Sequence, residues 1–141
     1  MALGMSKIKN LSVLAAEEIE EGILEWVSDE GTAITCAAPT TEQVVDCLIQ
    51  YAITFVSGAT EPTELHIRHS VDGGTTEDTA DVQTFAKSIE STDDGIIIGS
   101  HMVPGGFDYL DIGFKNTESG NYHVTVTADV SYTKITGMTA V

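Results

Sequence analysis

The chain has 141 residues, of which 22 are acidic and 6 are Lys or Arg, so its formal net charge is −16. A small soluble domain usually carries a net charge of about 2–8 in magnitude, and this chain carries about twice the upper value. This excess of acids disfavours binding to nucleic acid or to an anionic membrane. The 42% apolar content suits one domain with a buried core. No apolar run reaches the roughly 20 residues of a membrane span, and Leu11 to Ala16 is too short for a signal-peptide core.

The first segment, residues 1–20, is predicted to be an extended N-terminal arm that carries charge of both signs. Lys7 and Lys9 precede a block of acids with no base inside it: Glu17, Glu18, Glu20, Glu21, Glu25, Asp29 and Glu30. We expect the basic start of the arm to dock on an acidic neighbour, for example the next copy of the same chain. Whether Val13 to Leu24 is a strand or a helix stays open at this stage.

Residues 21–135 are predicted to form a β-sandwich. Alternation of apolar and polar residues is strongest over Val45–Val56, Leu65–Val71, Phe107–Lys115 and Tyr122–Ile135. Shorter candidate strands are Ile23–Ser28, Thr32–Ala37, Asp81–Ile89 and Gly95–Ser100.

The predicted strand Val45–Val56 has a helical alternative. Thr40 to Gln43 resembles a capping box, which would begin a helix from Thr41 to about Gln50. The strand is preferred because its alternation, with Val45, Cys47 and Ile49 on the inward face, continues unbroken to Phe55.

Turn chemistry separates these strands, for example at Ser57–Thr60, Thr92–Gly95, Pro104–Gly106 and Ser119–Asn121. Evenly spaced strands without helix-length linkers predict an all-β antiparallel sandwich, jelly-roll-like, with about seven or eight strands. Residues 136–141 are predicted to be a C-terminal tail.

No catalytic residues are predicted, because no nucleophile lies in a pattern with a base and no histidine pair has the spacing of metal ligands. His66 and His69 fall on opposite faces of their strand. A bridge between Cys36 and Cys47 is conceivable, but without an export signal we favour buried free thiols. We therefore expect no enzyme activity and no cofactor.

One acidic loop is a weak candidate for calcium. Asp72, Glu77, Asp78 and Asp81 supply the oxygen ligands that calcium prefers, but their spacing does not match the helix-loop-helix calcium loop. An acidic hairpin turn is the simpler interpretation.

A family resemblance follows from the strand order between Val45 and Ile135. The strands Ile49–Phe55, Leu65–Val71, Phe107–Ile112 and Val124–Thr133, with the Asp-box-like turn Ser70–Thr76, resemble small β-sandwich virion proteins of tailed phages and related viruses. The resemblance implies a non-enzymatic subunit of the virion: a capsid decoration or cement, turret or tail-associated protein. It also implies a homo-oligomer that binds the major coat protein or other virion subunits.

These considerations predict a capsid decoration or cement protein located in the virion. A carbohydrate- or receptor-binding module on a turret, fibre or tail is the alternative, with Asp72–Asp81 and Pro104–Tyr109 as its binding turns. The candidate interface residues are Lys7, Lys9, Trp26, Tyr109 and Met138. The two lysines form the basic start of the arm, and aromatic and Met side chains are enriched in interfaces.

Overall fold

The structure, a computed structural model, describes residues 4–36, 41–70 and 83–137. In this part of the chain the strands are β1 (Gly4–Ile19), β2 (Leu24–Trp26), β3 (Ile34–Thr35), β4 (Gln43–Phe55), β5 (Thr63–Ser70), β6 (Gln83–Ile89), β7 (Ile96–Phe107), β8 (Tyr109–Asn116) and β9 (Val124–Thr136). A short 3-10 helix, Val27–Glu30, follows β2. Within the described residues, no helix is long and apolar enough to cross a membrane.

The strands form two antiparallel sheets that pack face to face. One sheet has the order β1-β9-β4-β7, and the other has the order β2-β8-β5-β6 with β3 also paired to β8. If β2 and β3 are counted as two pieces of one interrupted strand, this is the eight-strand jelly roll. The predicted sandwich architecture is therefore confirmed.

The core lies between the sheets and is built from the inward residues of each alternating strand. β4 contributes Cys47, Ile49, Tyr51, Ile53 and Phe55, and β9 contributes Val124, Val126, Ala128 and Val130. The second sheet answers with Leu65, Leu110, Ile112 and Phe114, all fully buried. The rings of Tyr51 and Phe114 meet edge to face across the core, with their centroids 6.0 Å apart.

Both helical alternatives are wrong. The segment from Gln43 belongs to β4, and the segment from Val13 continues β1 as far as Ile19. The inward assignment of Val45 is also wrong, because a register shift between Val44 and Asp46 moves the inward position to Val44, which is fully buried. An inserted residue of this kind reverses the faces on one side of the bulge.

The predicted turn at Pro104–Gly106 is instead part of β7, opposite the same bulge. Gly105 lies so close to the backbone of Val45 that a Cβ would overlap it. Gly106 has φ of +102°, which glycine adopts without strain. These glycines therefore serve a close approach of two strands, and β7 runs beyond the predicted Gly95–Ser100.

Most of the predicted arm lies in the sandwich as β1. Its residues pair with β9 from Gly4↔Thr136 to Ile19↔Val124, with three register shifts along the way. Val13, Leu14 and Ile19 of this strand are buried in the core. The boundaries at residues 20 and 135 stay predictions, but residues 4–19 are structurally a strand of the sheet.

Candidate interaction face

The outward side of β9, β4 and β7 is the surface that we call the outer face. Antiparallel register places its members in rows across the three strands. The members are Thr125, Thr127, Asp129 and Ser131 of β9; Asp46, Leu48, Gln50, Ala52 and Thr54 of β4; and Ile96, Ile98, Ser100 and Met102 of β7.

The outer face is poor in charge and has an apolar margin. Asp46 and Asp129 are its only charged members, although the chain has 22 acids in all. Along β7, Ile96, Ile98 and Met102 are 60%, 80% and 57% exposed. Exposed large apolar side chains grouped on one surface are characteristic of interaction sites.

The predicted interface residues Lys7 and Lys9 lie at one end of this surface. Both are exposed on β1, and they line a shallow depression of about 210 Å³ together with Leu48 and Met102. Asp46, at the same depression, accepts a hydrogen bond from the Thr133 backbone N–H at 3.1 Å. The sheet therefore presents two ammonium groups beside apolar side chains, as an acidic or mixed partner surface requires.

Two hydroxyls of β9 have a structural task. The backbone N–H groups of Asn10 and Ala16 donate to Ser131 Oγ and Thr127 Oγ1, at 3.0 and 3.2 Å. Asn10 and Ala16 have φ of 53° and 52°, so β1 bulges there and these N–H groups leave the regular ladder. Ser131 and Thr127 of the outer face therefore hold β1 against β9.

The third predicted interface residue, Trp26, is only 8% exposed and lies on the opposite sheet. Its ring covers Gly113, where a Cβ would come within 2.8 Å of it. The guanidinium of Arg68 lies over the ring, 4.1 Å from its centroid. Trp26 thus packs within its own chain and offers little surface to a partner.

Arg68 also holds a buried carboxylate. Its Nη2 lies 2.8 Å from Asp111 Oδ2, and the Asp111 side chain is fully buried. The Ser28 backbone N–H and the Ile112 backbone N–H both donate to Asp111 Oδ1 at 3.0 Å. Because its charge is paired and hydrogen-bonded, this group ties the 3-10 helix to the sheet and is a structural element.

The remaining predicted residues are placed as follows. Tyr109 is half-buried at the start of β8, opposite Thr35 and Ser70. Met138 and the calcium candidates Asp72, Glu77, Asp78 and Asp81 lie outside the described residues. The four calcium candidates and the five interface residues stay predictions.

The structure brings together three carboxylates that the sequence does not single out as a site. One carboxylate oxygen each from Glu17, Glu25 and Glu30 lies within 4.8 Å of the others. Burial, a side-chain hydrogen bond with Glu30 and repulsion from the neighbouring acids raise the pKa of Glu25. The side-chain hydrogen bond between Glu25 and Glu30 shares a proton and offsets part of the repulsion, so the cluster does not require a metal.

Burial changes the pKa of three further groups, two cysteines and one histidine. Cys36 and Cys47 are free and buried, as expected, and burial raises the pKa of the Cys47 thiol to about 12. Burial and the nearby Lys87 lower the pKa of His101. His101 and His69 both border an open depression between β5, β6 and β7.

Comparison with known proteins supports the fold. The sequence matches no protein-family model and no curated protein. Among solved structures, the infectious bursal disease virus Gx strain gives a TM-score of 0.50 at 10% identity over 97% of this chain and 34% of that chain. The VP2 subviral particle of infectious bursal disease virus gives 0.49 at 10% identity, over 96% and 38%.

The chain spans about a third of the length of these viral chains. At 10% identity, the likeness at a TM-score of 0.50 shows a shared β-sandwich fold. These structural neighbours are virus-particle proteins.

Proposed function

We propose that this chain is a non-enzymatic structural subunit of a virion, a decoration or cement protein that binds the coat through its outer face. The observation that carries the proposal is the outer face itself, with its low charge, exposed β7 side chains and flanking lysines. The jelly-roll fold shared with virus-particle proteins is consistent with it. A tailed-phage source and a place on the shell belong to the same proposal.

Charge distribution is the physical reason for the choice of face. A subunit with a net charge of −16 is repelled by acidic surfaces, and this repulsion is smallest where carboxylates are sparse. Lys7 and Lys9 add attraction at the same end of the sheet. They are presented from β1, which is paired along its length, so they dock from a sheet strand and not from a free arm.

The first test asks whether the protein is in the particle. Virions purified from cells that carry the gene should contain the chain in stoichiometric amounts, and antibodies should label the outside of the shell. Particles that lack the chain would overturn the proposal.

The second test asks which face binds. Particles made without the chain are incubated with purified protein, and the bound fraction is measured by sedimentation. Lys9→Glu should weaken binding about tenfold, because it places a carboxylate at the outer face. Lys115→Glu on β8 makes the same change of charge on the other sheet and should bind like wild type. Equal effects of the two variants would refute the assigned face.

The described residues do not favour the carbohydrate- or receptor-binding alternative. Its first turn, Asp72–Asp81, lies outside the described residues. Its second, Pro104–Tyr109, consists of the end of β7, Asp108 and the first residue of β8.

A further inference from the structure

The outer edge of β7 is open to another strand. Among the described residues, β7 pairs with β4 alone, and its stretch 96–103 is in regular register without a bulge. The other sheet edges are interrupted. β1 has three register shifts, β2 and β3 are short, and the pairing of β6 with β5 shifts between Leu65 and His66. Bulged and short edges resist strand addition, whereas a long, flat, apolar edge invites it.

The backbone direction along β7 is known from its contacts. The Phe55 N–H donates to the Gly95 carbonyl at 2.8 Å, so residue 95 and every second residue after it face β4. The intervening residues, Ile96, Ile98, Ser100 and Met102, therefore direct their N–H and C=O groups away from the sheet. Lys87 Nζ donates to the outward Ser100 carbonyl at 3.3 Å, as this direction requires.

We propose that β7 pairs antiparallel with β7 of a second copy, which joins two four-stranded sheets into one continuous sheet across a twofold axis. The four outward residues are symmetric about Gly99. The register that uses all of them places Gly99 on the axis, Ile98 opposite Ser100 of the second copy, and Ile96 opposite Met102 of the second copy. Pro104 has no N–H and ends the run.

The distribution of charge favours this strand as the place where two copies meet. Each chain carries −16, so two copies associate most readily where neither presents a carboxylate. Ile96–Phe107 contains no Asp, Glu, Lys or Arg. The exposed side chains of Ile96, Ile98 and Met102 gain apolar contacts across the axis, because cross-strand neighbours on one face touch.

Lys87 guards this edge in the isolated chain. Its ammonium already donates to the Ser100 carbonyl, so it competes with the N–H of a second strand for that acceptor. Lysine at an open edge is a common protection against unwanted pairing. Lys87→Ala should therefore strengthen the dimer.

The test measures the monomer–dimer equilibrium by analytical ultracentrifugation at 0.02, 0.15 and 1 M NaCl. We expect a dimer that tightens with salt, as screening weakens the repulsion between the acidic chains. Ile98→Lys should raise the dimer Kd at least about tenfold, because it places two like charges near the axis. Leu11→Lys, at an exposed position on the opposite edge of the same sheet, is the matched control and should leave Kd unchanged.

The register is tested by mixing Ile98→Cys and Ser100→Cys chains under mild oxidation. Hydrogen-bonded antiparallel pairs have Cα atoms about 5.5 Å apart, within disulfide range, so the mixed disulfide should dominate over either homodimer. A monomer at every salt concentration, or a dimer that Ile98→Lys leaves intact, would overturn the proposal. A monomer whose particle binding is lost in Ile98→Lys would also overturn it and assign the edge to the coat. The proposal does not depend on the virion role, because purified protein suffices.

Discussion

At the scale of single residues, burial determines the reactivity of the two thiols. Cys47 is fully buried between the sheets, and Cys36 is buried near Tyr132. The thiolate is the reactive form, and burial raises the pKa of both groups.

We therefore expect Cys47 to resist thiol reagents in the folded protein. With its pKa at about 12 in place of the ordinary 9.0, the thiolate fraction at pH 8 falls roughly a thousandfold. Reaction with a chromogenic disulfide should be correspondingly slow in buffer. In denaturant two thiols per chain should react at the ordinary rate, and fewer than two would reveal a disulfide.

The Glu25 carboxyl makes stability depend on pH. Its pKa is raised in the folded state, so the folded state holds the proton more tightly than the unfolded state does. The stabilisation of the folded state by this proton is fully present below the unfolded pKa, near 4.5. It is lost as the pH rises through the pKa of Glu25 in the folded state.

Glu25→Gln should therefore raise Tm at pH 7 by about 1–2 °C, since like-charge neighbours cost a few tenths of a kcal/mol. The gain should shrink as the pH approaches 4.5. Glu90→Gln, at an exposed position after β6, is the control for the change of net charge. Equal gains from both variants at all pH values would contradict the specific role of Glu25.

At the scale of elements, β1 combines two roles along one strand. Its first part, Gly4–Asn10, has no buried residue and carries both lysines, whereas its second part supplies Val13, Leu14 and Ile19 to the core. Burial of three such side chains contributes about 5–9 kcal/mol, comparable with the whole stability of a small domain.

Two truncations separate these roles. Deleting residues 1–10 should leave a folded protein with a lower Tm and weaker binding to particles. Deleting residues 1–20 should prevent stable folding, because it also uncovers the edge of β9. Circular dichroism melts and solubility report both outcomes. A chain without residues 1–20 that melts like the full chain would show that β1 is dispensable.

At the scale of the whole molecule, the net charge of −16 opposes the compact state. The Debye length falls from about 30 Å at 0.01 M salt to about 8 Å at 0.15 M, so added salt screens most of this repulsion. Few described ion pairs offset it, and the buried Arg68–Asp111 pair is the main one at short distance.

We expect Tm to rise by several degrees between 0.01 and 0.5 M NaCl. A variant with Glu18→Gln, Glu20→Gln and Asp29→Asn should show a shallower rise, because less charge remains to be screened. Scanning calorimetry gives both slopes. A Tm that falls with salt would indicate that ion pairs outweigh the net repulsion.

Much of the fold could be predicted from local patterns, and the exceptions lie where β-bulges interrupt the strands. The sequence pattern predicts β4, β5, β8 and β9 close to their observed bounds, and in β4 the alternation holds from Cys47 to Phe55. β1 was missed because three register shifts interrupt its alternation. The prediction of a turn at Pro104–Gly106 is wrong because proline and glycine occur in bulges as readily as in turns.

The candidate site was predictable only in part. The basic start of the chain indicates Lys7 and Lys9, and the structure places both at one end of the outer face. The exposed β7 margin was not predicted, and the Glu17, Glu25 and Glu30 cluster joins residues that a linear pattern does not connect.

The sequence by itself determined the all-β class, the long strands and the uneven distribution of charge, because alternation and composition are local properties of the chain. Only the tertiary structure decided that β1 lies beside β9, that Trp26 is buried under Arg68, and that β7, within the described part of the chain, pairs on one side alone. Period-two alternation records which side chains point inward. It does not record which strands become neighbours, since that choice depends on pairing between residues far apart in the chain.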